Sequence, residues 1–171
     1  MRGFTLVELA VALAILAVTL LAVCGLFQGS SEGMHYFSSV GAADIGAQRA
    51  LDKLVEDMRN APSSDISVTP FGGFDSVTLK RAWGENGTAT ITYTVDEDNQ
   101  LVRIANIYGQ GILREVLVRN VDAVLRQGVK GFSVSPIGDS SLYRLILRVN
   151  VELRTGGTDR RTFSTTVRTR T

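Results

Sequence analysis

Residues 9–27 form a run of nineteen amino acids without a charged side chain, and this run limits the possible folds more than any other feature of the chain. An α-helix rises about 1.5 Å per residue, so the run can extend about 28 Å, close to the roughly 30 Å thickness of the hydrocarbon core of a bilayer. We therefore predict one membrane-spanning helix. The alternative is a secretory signal peptide, which usually has a shorter apolar region of about 7–15 residues and a cleavage site of small residues. The small residues in the segment AVCGLFQGSS keep that alternative open.

The charges on either side of this run predict its orientation. Arg2 and the amino terminus precede it, whereas the first charges after it are the acidic Glu32 and Asp44, and the next basic residue is Arg49. Positively charged flanks of a membrane span usually remain in the cytoplasm. We therefore expect a cytoplasmic N-terminus, with everything after Phe27 crossing the membrane.

A single carboxylate, Glu8, lies at the start of the apolar run. At the centre of a bilayer such a charge costs about 2.5–3.5 kcal/mol on insertion scales, and ionisable groups there usually have a partner. The cost is smaller near the cytoplasmic edge, where Glu8 is expected to lie. One explanation is a helix-start acid, which the helix macrodipole stabilises by about 0.3–1 kcal/mol. The residue taken alone therefore leaves a structural and a functional explanation open.

The residues around Glu8 resemble a known processing signal. Residues 3–8, GFTLVE, are followed at once by an uncharged helix, and this combination resembles the class III signal of type IV pilins and type II secretion pseudopilins. The resemblance implies that the prepilin peptidase, a membrane aspartic peptidase, cleaves on the cytoplasmic side between Gly3 and Phe4 and methylates the new amine of Phe4. The leader of three residues is shorter than most in that family, although cleavage after glycine needs little sequence before it.

The same resemblance gives Glu8 a role in assembly. In filaments of this family the glutamate at this place pairs with the terminal amine of a neighbouring subunit, which here would be the amine of Phe4. Opposite charges about 4 Å apart attract by about 4 kcal/mol at an effective dielectric constant of about 20, whereas each charge alone is penalised for leaving water. Glu8 can also meet the Phe4 amine of its own chain, because the two residues are four positions apart. The sequence leaves both pairings open.

After the membrane span the helix is expected to continue as an amphipathic segment. Its apolar residues recur mostly at steps of three or four, which marks one helix face, and Pro62 then ends the helix. A helix over residues 4–60 would reach on the order of 85 Å. The residues that define the apolar face are Met34, Phe37, Val40, Ile45, Leu51, Leu54, Val55 and Met58.

Two parts of this segment need separate interpretation. Gly29 and Gly33 each weaken a helix by about 1 kcal/mol relative to alanine, so we expect a kink or local melting there.

The segment RALDKLVEDMRNA, residues 49–61, alternates acidic and basic side chains. We interpret these charges as a solvated outer face, for which partner binding is an equally good explanation.

The remainder of the chain has the period-two pattern of β-strands. Residues 88–95, TATITYTV, alternate apolar residues with threonine, and residues 143–153, YRLILRVNVEL, give the strongest strand prediction. Turns at residues 96–100 (DEDNQ) and 155–159 (TGGTD) predict two hairpins of an antiparallel sheet, the second of which continues into residues 160–171. The glycines at 72–73 and 109–111 are interpreted as turns between strands.

These patterns predict an α+β fold. A long N-terminal helix, half transmembrane and half amphipathic, packs on an antiparallel β-sheet domain in a pilin-like arrangement. The predicted division is residues 1–3 as the leader peptide, 4–28 as the transmembrane helix, 29–61 as its amphipathic continuation and 62–171 as a β-rich globular domain.

Several classes of function have no support in the sequence. The single cysteine, Cys24, lies in the apolar run, and the single histidine, His35, has no nearby donor, so we predict no metal site, no cofactor and no catalytic nucleophile-base pair. The acidic turn at 96–100 lacks the glycine and the trailing glutamate of an EF-hand loop. The arginines of the last strands are interpreted as a solvated face. Nucleic-acid binding would also require aromatic side chains between the basic ones, so no nucleic acid is expected as a partner. These arginines are Arg154, Arg160, Arg161, Arg168 and Arg170.

Three segments of the body resemble specific members of the family. Residues 49–61, 91–105 and 116–134 resemble J-type minor pseudopilins and W-type minor pilins. This resemblance implies a non-enzymatic minor subunit that assembles with other minor subunits to initiate or cap a type IV pilus or a type II secretion pseudopilus. Glu8 argues against a K-type pseudopilin, which lacks the glutamate. The alternatives are a filament-tip binding module, either an adhesin or a DNA-uptake subunit, and a plain signal-anchored protein.

The resemblance also implies the partners and the location. The partners are other pilin or pseudopilin subunits, the prepilin peptidase, the inner-membrane assembly platform and the membrane itself. Before assembly the chain is expected to be a single-pass protein of the cytoplasmic (inner) membrane, with its C-terminal domain periplasmic or extracellular. After assembly it is expected in the filament.

Overall fold

A computed structural model of the chain describes residues 5–84, 87–122, 129–153 and 156–170. The long helix α1 comprises Leu6–Arg59 and is followed by a short 3-10 helix, Ser63–Asp65. Eight strands follow in order, namely β1 Ile66–Phe71, β2 Phe74–Trp83, β3 Gly87–Val95, β4 Leu101–Ile107, β5 Gly111–Val118, β6 Phe132–Ile137, β7 Asp139–Glu152 and β8 Thr158–Arg168. The α+β, pilin-like class predicted from the sequence is therefore confirmed.

The chain divides into two compact units, Met1–Ser39 and Val40–Thr171. In the first unit the described residues are helical from Leu6 onward, and the side chains of the apolar run are exposed. Within the described ranges α1 is the one helix long and apolar enough to cross a membrane. Local melting at Gly29 and Gly33 is contradicted, because helical hydrogen bonding continues through both residues.

The second unit begins with the last five turns or so of α1, about 3.6 residues each, and here one face of the helix is buried. The face carries Val40, Ala47, Leu51, Leu54 and Met58 at helical spacing, and from Ala47 onward these side chains pack with the interior of the sheets. The predicted apolar face is therefore correct from Val40 onward, except at one position. Ile45 is exposed, as are Met34 and Phe37, which precede this unit.

The strands form two antiparallel sheets. The first has the order β1-β2-β3-β4-β5 and the second the order β6-β7-β8, so neighbours in sequence are neighbours in space. Left-handed backbone angles at Gly72, Gly109 and Gly156 allow the reversals after β1, β4 and β7 that the sequence predicts as turns. The acidic turn between β3 and β4 likewise contains Asn99 at a positive φ.

The buried side chain of Asp75 connects the two sheets. Asp75 lies on β2, and its Oδ2 accepts the backbone N–H of Val134 on β6 at 2.9 Å. Its other carboxylate oxygen pairs with the ammonium group of Lys130. Because a buried carboxylate requires hydrogen-bond donors, this contact fixes where β6 meets the first sheet.

Candidate functional site

The first turn of α1 is held by a reciprocal pair of contacts between Thr5 and Glu8. The backbone N–H of Thr5 donates to Glu8 Oε2 at 2.9 Å, and the Thr5 hydroxyl donates to the same oxygen at 2.8 Å. In return the backbone N–H of Glu8 donates to Thr5 Oγ1 at 3.3 Å. This arrangement is a capping box, in which residues at the N-cap and three positions later satisfy the free N–H groups of a helix start.

The capping box is a third explanation for Glu8 that the sequence analysis missed. The pattern T-x-x-E at residues 5–8, directly before an apolar run, is the sequence signature of such a box. Both donors to Glu8 are neutral groups, so they satisfy hydrogen bonds without compensating the negative charge. Gly3 and Phe4, which the sequence predicts as the cleavage site and as the source of the pairing amine, lie outside the described residues.

The surface of α1 after this box is apolar and exposed. Leu6, Leu21 and Phe27 are among the most exposed large apolar side chains of the first unit. A soluble helix of this composition would normally bury one face against its own domain. The helix can instead place its apolar surface against lipid or against other helices.

A polar cluster in the second unit joins α1 to the first sheet. Asp57 of α1 is 3% exposed, and its Oδ2 accepts a hydrogen bond from the Tyr93 hydroxyl at 2.6 Å and from Arg103 Nε at 2.9 Å. Its Oδ1 pairs with Arg81 Nη1 at 2.8 Å. The three partners come from β2, β3 and β4, so one carboxylate joins the helix to three strands.

Burial and charge shift the pKa values in this cluster. Burial, and after it the charge of Asp57, raises the pKa of the Tyr93 hydroxyl, which therefore stays protonated and can donate. Burial opposes the charged form of Arg103, but the hydrogen bond to Asp57 and the charge of Asp57 outweigh it, so the pKa of the guanidinium is raised. The cluster thus joins one carboxylate to two guanidinium groups and to a protonated tyrosine hydroxyl.

The interpretation of residues 49–61 as a solvated face is wrong at Asp57. The residue is buried and shares a helix face with the buried Leu54, three positions before it. The interpretation holds for Lys53, which makes a partly exposed ion pair with Glu115 of β5 at 2.7 Å. The sequence contained one sign of this burial, because Asp57 falls at a position on the apolar face of the helix.

The acidic turn after β3 is occupied by contacts within the chain. Asp96 Oδ1 accepts the backbone N–H groups of Asp98 at 3.1 Å and Gln100 at 2.9 Å, and its Oδ2 pairs with Arg114 at 2.7 Å. Across the four described ranges, histidine, cysteine and acidic side chains form no group of three or more that could hold a metal ion.

Two arginines of β8 have acidic partners nearby. Arg160 pairs with Asp122 at 2.6 Å, and Arg161 pairs with Asp159 at 3.1 Å. Arg154 lies outside the described residues. The ion pairs reduce the positive charge that this strand presents to solvent.

Comparison with known proteins finds one match, at the N-terminus. Residues 1–23 match the family model described as the prokaryotic N-terminal methylation motif. No curated protein and no solved structure matches the chain. The match covers the predicted signal, the capping box and most of the apolar run. The motif and the long apolar helix together support a pilin- or pseudopilin-type subunit that carries a class III signal and is anchored in the inner membrane.

Proposed function

We propose that this chain is a minor pilin or pseudopilin subunit that assembles with other minor subunits to initiate or cap a type IV pilus or a type II secretion pseudopilus. The observation that carries the proposal is the methylation motif at residues 1–23, in which the carboxylate of Glu8 is held at the first turn of an exposed apolar helix. The role is structural rather than enzymatic. The minor position is supported by the resemblance of residues 49–61, 91–105 and 116–134 to minor subunits.

Processing is the first step of the proposed function. Residues 1–3 form the leader, and the prepilin peptidase cleaves between Gly3 and Phe4 and methylates the new amine. Residues 4–28 span the inner membrane with the N-terminus in the cytoplasm, and residues 29–61 continue the helix into the β-rich domain at 62–171 on the far side. The charge distribution around the apolar run supports this orientation.

Assembly is the second step, and Glu8 acts in it as the anionic partner of a Phe4 amine. Thr5 donates two hydrogen bonds to Glu8 Oε2 and so fixes the rotamer of the carboxylate at the start of the helix. A hydrogen-bonded carboxylate still carries its full charge, and a cation within about 4 Å would compensate it in the membrane. A neighbouring subunit can supply that cation, which couples neutralisation of the charge to docking in register.

Mass spectrometry of the mature N-terminus tests the processing step. The wild-type chain, isolated from a host with an active prepilin peptidase, is expected to begin with N-methylated Phe4. The Gly3→Val variant is expected to retain residues 1–3 because a branched side chain replaces the glycine before the cleaved bond. Recovery of a wild-type chain that still begins at Met1 would contradict the proposal.

Substitutions at Glu8 separate its charge from its cap. Glutamine can replace glutamate in a capping box, so Glu8→Gln keeps the helix start but removes the charge, whereas Glu8→Ala removes both. Both variants are expected to be processed and to remain in the membrane fraction instead of entering filaments with other subunits. Thr5→Ala, which keeps the charge and weakens the cap by about 1 kcal/mol, is the matched control and is expected to assemble better than either. Assembly of Glu8→Gln at the wild-type level would refute the proposed pairing.

A further inference from the structure

One face of the second sheet is exposed and basic. Successive residues of a strand point to opposite faces, and the odd-numbered residues 143–151 of β7 are buried. The even-numbered residues of β7 and β8 pair with one another and share the other face, here called the outer face. Its basic side chains are Arg144, Arg148, Arg160 and Arg168, and the other β8 side chains on it are serine or threonine.

Two of these four arginines have no internal counter-ion. The eight described strands contain eight arginines, and five of them pair with a carboxylate, namely Arg81, Arg103, Arg114, Arg160 and Arg161. The guanidinium of Arg148 donates to the backbone carbonyl of Lys130. The remaining two, Arg144 and Arg168, make no ion pair or hydrogen bond within the described ranges. The outer face therefore presents free positive charge at these two positions.

The two unpaired arginines are neighbours on the outer face. Arg144 lies directly opposite Thr166, and Arg168 is two residues farther along β8, which makes it the diagonal neighbour of Arg144. Diagonal neighbours lie about 7–8 Å apart, within reach of long side chains. Both arginines and Thr166 are exposed. Two like charges this close repel each other, so an anion that contacts both guanidinium groups would also remove an unfavourable interaction.

We propose that Arg144 and Arg168 together bind the carboxylate of an acidic side chain on a different protein, with the Thr166 hydroxyl as a further donor. A carboxylate suits this arrangement because guanidinium groups donate to it through paired, charge-assisted N–H bonds. Two guanidinium groups and one hydroxyl supply enough donors for both carboxylate oxygens. The two arginines lie on paired strands, and binding takes neither of them away from an internal ion pair within the described ranges.

The small number of free charges favours a single carboxylate over a polyanion. A protein that binds nucleic acid through its backbone can contact about 6–10 phosphates, and recognition of an anionic membrane takes clusters of about 4–8 basic residues. The outer face offers two free arginines, to which the exposed Arg170 after β8 adds one more at most. The described β7 and β8 residues on this face also include no aromatic side chain on which a base could stack. A local pair of cations instead matches one acidic side chain.

A second copy of this chain is a less favourable partner. A two-fold contact through the outer face would bring the free arginines of one copy against those of the other, and these charges would repel because no internal carboxylate neutralises them. A contact in which one copy offers an acid from elsewhere on its surface is head-to-tail, and it continues into rings or filaments of this chain alone. A different protein avoids both conditions. The inference depends on the second unit alone and stands whether or not the chain enters a filament.

Carbodiimide crosslinking tests the proposal on the full chain, in membranes of the cells that produce it. Arg168→Lys and Arg144→Lys each keep the positive charge and supply an amine, which a water-soluble carbodiimide joins through an amide bond to a carboxylate in contact with it. The crosslinked residues are mapped by mass spectrometry. Both variants are expected to give an adduct with the same aspartate or glutamate of a different protein. Adducts from these positions on this chain or on another copy of it, scattered adducts or no adducts would each overturn the proposal.

Two controls make these outcomes decisive. Lys53 and Glu115 form an exposed ion pair at 2.7 Å, so their own amide in the same sample shows that the reaction and the mapping have worked. Thr162→Lys places an amine on the outer face six residues before Arg168, about 20 Å away. It is expected to give no adduct with the acid found from position 168. An equal adduct from position 162 would indicate unspecific attraction to the basic face and would contradict the arginine pair as the site.

Removing one charge with a matched control shows whether the two arginines act together. In the Arg168→Lys chain, the additional Arg144→Gln change is expected to reduce the adduct from position 168 by about threefold to fivefold, the range of an exposed charge pair. Arg148→Gln makes the same change on the same strand and face, four residues from Arg144, and is expected to leave that adduct unchanged. Both variants are expected to unfold cooperatively in urea, which shows that they fold. An unchanged adduct with Arg144→Gln, or an equal loss with Arg148→Gln, would contradict a shared carboxylate site.

Discussion

Replacing Asp57 with alanine should destabilise the second unit strongly, because this carboxylate is the counter-ion of the buried guanidinium of Arg103 and of the partly buried guanidinium of Arg81. The side chain is 3% exposed and is bonded by Arg81, Arg103 and the Tyr93 hydroxyl at 2.6–2.9 Å. Without the carboxylate the Arg103 cation remains in a poorly hydrated interior, and the partly buried Arg81 cation loses the same partner. The helix also loses its polar connection to three strands of the first sheet.

The size of the effect follows from burial. Breaking a buried ion pair by removing one partner costs about 3–5 kcal/mol, most of which is the penalty of the charge left behind. Domains are stable by only about 5–15 kcal/mol in total, so the variant should lose a large fraction of its stability. We therefore expect Asp57→Ala to lower the free energy of unfolding by about 3–5 kcal/mol.

Urea unfolding followed by tryptophan fluorescence measures this loss. The chain has a single tryptophan, Trp83, which lies on β2 and reports on the first sheet. The guanidinium carbon of Arg81 is 4.9 Å from the centre of its ring, so the signal comes from the immediate surroundings of the cluster. The full chain is kept in detergent micelles, and the slope of free energy against urea should be unchanged between variants.

The ion pair between Lys53 and Glu115 provides the matched control. It joins the same helix to the same sheet, but its side chains are 38% and 48% exposed. Pairs as exposed as this contribute about 0–1 kcal/mol, so Glu115→Ala should change stability little. If Asp57→Ala and Glu115→Ala cost the same, or if Asp57→Ala costs less than about 1 kcal/mol, burial does not decide the strength of these contacts and the reasoning is refuted.

Two further predictions concern the second unit. Because the pKa of Tyr93 is raised, the folded state keeps the hydroxyl proton at a pH at which the unfolded state loses it. The free energy of unfolding is therefore unaffected below the unfolded pKa of about 10 and falls by about 1.4 kcal/mol per pH unit above it. The Tyr93→Phe variant should lose this part of the alkaline slope in urea midpoints measured from about pH 9 to 11, and an unchanged slope would contradict the assignment. Gly131→Ala should destabilise by about 1–3 kcal/mol or more, because its Cβ would lie 2.0 Å from the carbonyl oxygen of Asp122. Gly46 lies in the helix with nothing within 4 Å of the new Cβ, so Gly46→Ala should instead stabilise by up to about 1 kcal/mol in the same assay. A change of the same sign in the free energy of unfolding for both variants would contradict the close packing at Gly131.

Those parts of the fold that have a strong local pattern could be predicted from the sequence. The alternation of residues 143–153 matches β7, and that of residues 88–95 matches β3, because both strands bury one face completely. Strand β1 alternates only over its first four residues, and β5 has mostly exposed side chains and shows no clear alternation. The division of eight strands into two sheets depends on long-range contacts such as that of Asp75 with Val134, which no local pattern indicates.

The acids Glu8 and Asp57 of α1 show the same limit. Glu8 is held by Thr5, three residues away, and the T-x-x-E pattern makes that contact readable from the sequence. Asp57 is neutralised by Arg103, 46 residues away, and by Arg81 on another strand. Its position on the apolar helix face could have shown that it is buried, but its partners could be named only after the strands were paired.

The difference between these acids bears on the proposed function. Asp57 enters the core of its own domain, and two cations of that domain compensate its charge. Glu8 lies at the start of an apolar helix, and the bonds from Thr5 to its Oε2 are with neutral groups, so they satisfy hydrogen bonds without compensating the charge. In a membrane such a charge is costly until a cation approaches it. In the proposed assembly a cation at the N-terminus of a second subunit would compensate this charge, which is why Glu8→Gln, with the cap intact and the charge removed, should separate helix formation from assembly.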